Sequence, residues 1–194
     1  MSAIKREPRR LLETIASSWD GSDDPVFSNG YVRATIREVQ GGTNLGLGLR
    51  ISNETLEGYY FTTSYNPRGI LLNSCVVDDT LLCEDLITVP VDFTAEEDWI
   101  MEAGAVGDLL TAKLWRAGAP EPDQPQLSIH NDDLKLGRLG VIAFHSSSWP
   151  ASSQIEGSFD DIYFAAVPEP SSLLIAALGV SCLVACRRKE PTVI

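Results

Sequence analysis

Residues 96–126 read EEDWIMEAGAVGDLLTAKLWRAGAPEPDQPQ. Leu110, Ala112 and Leu114 alternate with Thr111, Lys113 and Trp115, the two-residue period of a strand with one buried face. Gly107-Asp108 supplies a turn before it, Trp99 lies on a second strand ahead of that turn, and an acidic, proline-rich loop follows.

The same period recurs outward in both directions. Val32, Ala34 and Ile36 alternate with Arg33, Thr35 and Arg37. Leu45, Leu47, Leu49 and Ile51 alternate with Gly46, Gly48 and Arg50. Tyr59 to Thr63, Leu139 to Phe144 and Phe159 to Phe164 read as further strands. No convincing amphipathic helix interrupts them. Many short strands and little helix predict an all-β domain over residues 15–166, a two-sheet antiparallel β-sandwich of the jelly-roll type. Its expected core includes Leu45, Leu47, Leu49, Leu114, Ile142, Ile162 and Phe164.

Composition bounds the function. The chain has 194 residues, 44% of them hydrophobic, enough for one folded domain. Its net charge of −12 would be repelled by phosphate backbones, so nucleic acid is not an expected partner. The charge is segregated into a basic start (Lys5, Arg6, Arg9, Arg10; residues 1–14 form no expected domain), an acidic body and the basic cluster Arg187, Arg188 and Lys189. None of the four cysteines forms a C-x-x-C pair, which excludes a zinc ribbon.

The tail, residues 167–194, carries its own pattern. Ser171 to Cys186 reads SSLLIAALGVSCLVAC without a charge. As a helix it would span about 24 Å, short against a hydrocarbon core of about 30 Å but workable if flanking cations snorkel. It has no polar face at helical spacing, as a core helix would, so a single C-terminal transmembrane helix over 171–186 is expected. Pro168 and Pro170 set its start.

Pro168-Glu169-Pro170, an apolar helix and an arginine-rich end, in that order, resemble the PEP-CTERM sorting signal of Gram-negative bacteria. The resemblance implies transient residence in the inner membrane and processing near the tripeptide by an exosortase-type membrane enzyme. Delivery to the cell surface or the exopolysaccharide matrix would follow. The basic cluster on the cytoplasmic side would leave residues 1–170 outside. Met1–Ser18, MSAIKREPRRLLETIASS, contains no apolar run of an export signal. That predicts a misplaced start codon or a truncated gene; the alternative is a tail-anchored protein with a cytoplasmic body.

The run at 96–126, the later LGRLGVIAF and the closing Gly157-Ser158-Phe159-Asp160-Asp161-Ile162 resemble the concanavalin A-like lectin/glucanase superfamily in its laminin G-like branch. That fold hosts lectins, hydrolases and inert modules alike. Hydrolases of the fold carry E-x-D-x-E or E-x-D-x-x-E; Glu96, Asp98 and Glu102 depart from both, with Ile100 where an acid would stand. Solvated turn acids are the better reading, and no enzyme activity is expected. His130 and His145 lack an H-E-x-x-H frame, no G-x-S-x-G elbow occurs, and Gly46-x-Gly48 is strand glycine rather than a phosphate loop.

The resemblance also implies a structural calcium near the first and last strands. Asp160, with Asp20, Asp23 and Asp24, would supply oxygen ligands, though solvated surface carboxylates are the preferred reading. Tyr59, Tyr65, Trp99, Trp115 and Trp149 are the candidate sugar-contacting aromatics, weighed against core packing. Cys75 and Cys83 would form a disulfide in an exported body. The expected function is therefore a non-catalytic surface module, structural or binding polysaccharide. The alternative is a glycan-processing hydrolase of the same fold.

Overall fold

The computed structural model describes residues 26–38, 43–52, 54–65, 67–78, 80–145 and 157–167. The expected sorting motif, the apolar tail, Trp149, Asp20, Asp23 and Asp24 lie outside them.

Ten strands form two five-stranded antiparallel sheets, and the described residues contain no helix. The strands are β1 (Gly30–Glu38), β2 (Thr43–Ile51), β3 (Gly58–Tyr65), β4 (Arg68–Asp78), β5 (Thr80–Pro90), β6 (Asp98–Val106), β7 (Leu109–Arg116), β8 (Leu127–His130), β9 (Arg138–His145) and β10 (Gly157–Ala166). Sheet I has the order β10-β1-β6-β7-β8, and sheet II the order β5-β4-β3-β2-β9. Gly107, at φ 61°, makes the tight turn from β6 to β7, a backbone conformation that favours glycine.

The alternation read from the sequence becomes the core. Val32, Ala34 and Ile36 of β1, Met101, Ala103 and Ala105 of β6, and Leu110, Ala112 and Leu114 of β7 face sheet II. There they meet Leu45, Leu47, Leu49, Tyr59, Phe61, Ile70 and Leu72.

Of the expected core residues, one is buried in a second cluster and one is exposed. Ile142 is buried on the outer face of sheet II, in a small cluster with Tyr60 and Cys75. Ile162 is 43% exposed. A bulge is the cause: Arg33 pairs with Tyr163 and Thr35 with Asp160, so Asp161 and Ile162 together oppose Ala34. Asp161 takes φ 48°, and the extra residue lets both Phe159 and Phe164 pack on the core at an odd offset. Strand β10 is an edge, and a charged bulge is a common protection against edge-to-edge pairing.

Cys75 and Cys83 are direct partners across β4 and β5 and form a disulfide. Strand β3 pairs with β4 only as far as Gly58 opposite Cys75. Beyond it the hairpin continues as Val76 opposite Leu82 and Val77 opposite Leu81. The disulfide thus clamps the hairpin where it leaves the sheet.

At the end of the sandwich where β1 finishes, Glu38 is buried. Thr63 and Tyr65 donate hydroxyl hydrogen bonds to its two oxygens, and the Leu45 N–H adds a long one at 3.5 Å. Burial raises the Glu38 pKa, and these hydrogen bonds only partly oppose it. A raised folded pKa means that the native state holds the proton more tightly. Stability from this group is complete below the unfolded value of about 4.3 and is lost as pH rises through the folded value. Glu38→Gln is therefore expected to flatten that part of the pH–stability curve. Urea denaturation from acid to neutral pH checks it: parallel curves for the two proteins would exclude the coupling.

Candidate functional site

The outward positions of sheet I form an open polar face. Strand pairing sets Arg33 opposite Glu102 and Glu102 opposite Lys113, one row across β1, β6 and β7. Arg33 Nε donates to Glu102 Oε2 at 2.7 Å, and its Nη2 donates to the same oxygen and to Glu121 Oε2 at 2.9 Å. Lys113 Nζ donates to Glu121 Oε1 at 2.6 Å.

Glu121 comes from the acidic proline-rich loop, which Gln126 folds onto the sheet. The Gln126 amide accepts from Leu114 N–H at 2.7 Å and donates to Leu114 O at 2.8 Å, as a neighbouring strand would. The Arg33 guanidinium lies 5.2 Å from the centroid of the Trp115 ring. Tyr163, opposite Arg33 on the edge strand β10, continues the row and is 54% exposed; its ring centroid lies 5.8 Å from that of Tyr31, two residues before Arg33 on β1, at 46°.

Electrostatics hold this row in one arrangement. Burial works against the charge of Arg33, but hydrogen bonding and charge from Glu102 and then Glu121 outweigh it and raise its pKa. Lys113, and then Arg33, hold the Glu121 carboxyl below its ordinary range. A hydrogen bond to Tyr163 raises the pKa of Tyr31. Half-exposed pairs of this kind contribute about 1 kcal/mol or less each to stability. Their consequence is positional: two cations and two carboxylates are fixed on a face that also carries aromatic rings.

The sequence-expected residues divide. Trp115 lies on this face, beneath Arg33, and is 7% exposed. Tyr59 is fully buried in the core; its hydroxyl donates to Asn131 and accepts from Leu134 N–H. Tyr65 is bonded to Glu38 and packs on Phe93, whose ring also meets Trp99 edge-on. The Trp99 indole donates to Thr94 O. These three aromatics build the interior and one end of the sandwich rather than an open surface.

Asp160 is exposed on β10, where its Oδ1 accepts from Asp161 N–H. Among the described residues no group of three His, Cys, Asp or Glu side chains is placed to hold a metal ion. Glu96 lies ahead of β6 with φ 66°, Asp98 is paired with Arg37 and Glu102 with Arg33. Asp98 and Glu102 share the outward face of β6, four residues apart, and each is held by an arginine of β1. His130 lies 3.0 Å from Asp108 and is exposed.

A concavity of about 580 Å³ opens at the end of the sandwich opposite Glu38, lined by Ser28, Asn29, Arg50, Val106, Asp108 and Asp132, among others. Arg50 is 3% exposed and takes φ 54°. It donates to the carbonyls of Ser28, Leu134 and Gly107, fastening three separate segments. Asn29 Oδ1 accepts from Gly107 N–H at 2.8 Å, and the Asn29 carbonyl accepts from Val167 N–H at 3.1 Å. Strand β10 therefore delivers the chain to this end, one residue before Pro168.

Residues 166–189 match the PEP-CTERM protein-sorting motif. That match contains the tripeptide, the uncharged stretch and the basic cluster. It implies a secreted protein anchored or processed at the membrane by an exosortase. No curated protein matches the chain. Among solved structures, the carbohydrate-binding module CBM66 of Bacillus subtilis is similar, with 12% identity and a TM-score of 0.56, over 74% of this chain and 78% of that one. Chicken galectin 2 aligns at 13% identity and TM-score 0.45, covering 70% and 89% of the two chains. A xylan β-1,4-xylosidase of Bacillus halodurans aligns at 14% and 0.47, with only 27% of its length covered. The first likeness establishes a shared sandwich fold.

Sequence reading missed Arg50, Asn29, Tyr31, Tyr163 and the Arg33–Glu102–Lys113–Glu121 row. The polar members of the β1 alternation were visible, but their partners appear only with the strand register.

Proposed function

We propose that this chain is an exported, non-catalytic surface module that binds neutral polysaccharide on the outer face of sheet I. In this reading the sandwich is a concanavalin A-like jelly roll of the laminin G-like type. An apolar helix over residues 171–186 holds it in the inner membrane, with residues 1–170 outside, until an exosortase-type enzyme processes the tail. The product then resides at the cell surface or in the extracellular matrix.

The observation that carries the binding role is the fixed row of Arg33, Glu102, Glu121 and Lys113 beside Trp115, Tyr31 and Tyr163. Sugar hydroxyls both donate and accept, so a cation next to a carboxylate meets both needs, and tyrosine rings pack on the apolar faces of sugar rings. The row's charges cancel and the whole chain is acidic, which favours neutral over anionic glycans. The pairing of Asp98 and Glu102 with arginines supports a role without catalysis. The reading requires no cofactor; calcium at Asp160 with Asp20, Asp23 and Asp24 would be a structural addition to it.

A glycan array probed with the full chain in detergent micelles is the test. Binding to neutral polysaccharide is expected to fall about tenfold or more, roughly 1.4 kcal/mol, in Arg33→Ala and Glu102→Gln. Asp92→Asn, at an exposed site away from the face, is expected to bind like the wild type. Unchanged binding in the first two variants would move the site elsewhere.

A further inference from the structure

We propose that, before processing, the tail-bearing end of the sandwich sits on the lipid interface, and that release of the tail uncovers it. The inference rests on the reading of residues 171–186 as membrane-held.

The first argument is chain length. Val167 is pinned to Asn29 by the last hydrogen bond of the sandwich. From there to Ser171, where the uncharged stretch begins, four residues reach at most about 14 Å. A domain tethered that closely is held near the headgroups, with this end facing them.

The second argument is what this end exposes. Among the described residues the exposed large apolar side chains are Val26, Val76, Val106, Leu136, Ile162 and Tyr163, and the first four belong to this end. Val106 precedes the β6–β7 turn. Val26 and Leu136 each adjoin the antiparallel Phe27–Gly137 bridge, whose backbone groups exchange hydrogen bonds at 2.8 and 3.1 Å. Val76 stands on the β4–β5 hairpin beyond the Cys75–Cys83 clamp.

The third argument is rigidity. Arg50 ties the segment before β1, the β6–β7 turn and the β8–β9 loop to one guanidinium, so the segments that carry Val26, Val106 and Leu136 are held together. The charged groups lining the cleft at this end, Arg50 and Lys135 against Asp108 and Asp132, cancel. Apolar contact and the short tether, not charge, therefore provide the seat, and cutting the tether ends it. The cleft floored by Asn29 is covered in the membrane-held form and open afterwards.

The test places an environment-sensitive NBD fluorophore on the full chain at Leu136→Cys, at Val106→Cys and, at the opposite end, at Asp92→Cys. Each variant carries Cys182→Ser and Cys186→Ser, and Cys75 and Cys83 stay oxidised. The proteins are reconstituted into vesicles of phosphatidylethanolamine and phosphatidylglycerol containing lipids spin-labelled near the headgroup. Emission at positions 136 and 106 is expected to drop by about half or more, with position 92 unaffected, because an interfacial seat lies within the quencher's depth. Equal emission at all three positions in protein that floats with the vesicles overturns the seat while leaving the tail reading intact. Protein that does not float with the vesicles overturns both.

Discussion

Replacing Arg50 with methionine is expected to lower the unfolding free energy by about 3–5 kcal/mol, the largest effect of any single substitution outside the hydrophobic core. Methionine keeps much of the apolar stem but donates nothing. Three carbonyls, of Ser28, Leu134 and Gly107, then lose their charged donor in a site that is 3% exposed in the native protein. Arg50→Lys is expected to recover only part of the loss, because a single ammonium cannot reproduce the planar guanidinium's reach to three separate segments. Gly137 packs so closely on the Arg50 backbone that an added Cβ would stand 2.2 Å from its carbonyl carbon, so the surrounding chain has no room to rearrange. Urea denaturation measures the effect; a loss below about 1 kcal/mol would show that water replaces the guanidinium without difficulty.

The second large effect concerns the tail. Changing Pro168, Glu169 and Pro170 together to alanine is expected to leave the protein inserted but unprocessed. Each proline disfavours helix at the residue before it, which keeps the segment extended and open to an enzyme. Glu169 resists entry into the bilayer and holds the tripeptide at its outer boundary. Arg187, Arg188 and Lys189 fix the other end on the cytoplasmic side, and their replacement by glutamine is expected to loosen orientation. Fractionation of cells expressing a version with a working signal peptide reads both outcomes. If the alanine variant were trimmed and released like the wild type, a plain membrane anchor would replace the processed signal.

Where one sheet face is buried and the other wet, the fold was legible. Strands β1, β2 and β7 were visible as alternation because every second residue faces the core, and on β1 the outward Arg33, Thr35 and Arg37 are polar. Strands β4 and β5 were not. Ile70, Leu71 and Leu72 are all buried, and a contiguous apolar run carries no period by which to tell strand from helix. The Cys75–Cys83 pair was expected as the two thiols of one exported segment; that they stand directly opposite each other follows from the β4–β5 register. The burial of Ile162 was misread because a bulge shifts the register by one residue and leaves no mark in the hydrophobic pattern.

The candidate site was legible only in part for a similar reason. Trp115 could be named from its strand, yet its cover, Arg33, is far away in sequence, and Glu102 meets both Arg33 and Lys113 only through pairing across three strands. Residue type alone could not separate the core aromatics Tyr59 and Trp99 from surface ones such as Tyr163, because strand parity and packing decide which way each points.

Hydrogen exchange of the full chain, with and without a neutral oligosaccharide drawn from the best array ligand, tests the central claim most directly. Sugar held on sheet I should slow amide exchange in the loop that carries Glu121 and Gln126, and in the neighbouring parts of β1, β6 and β7. Sheet II should stay unchanged. Protection confined to the Asn29–Arg50 cleft or to sheet II, or no bound neutral glycan at all, would contradict the assignment of this face as the binding surface.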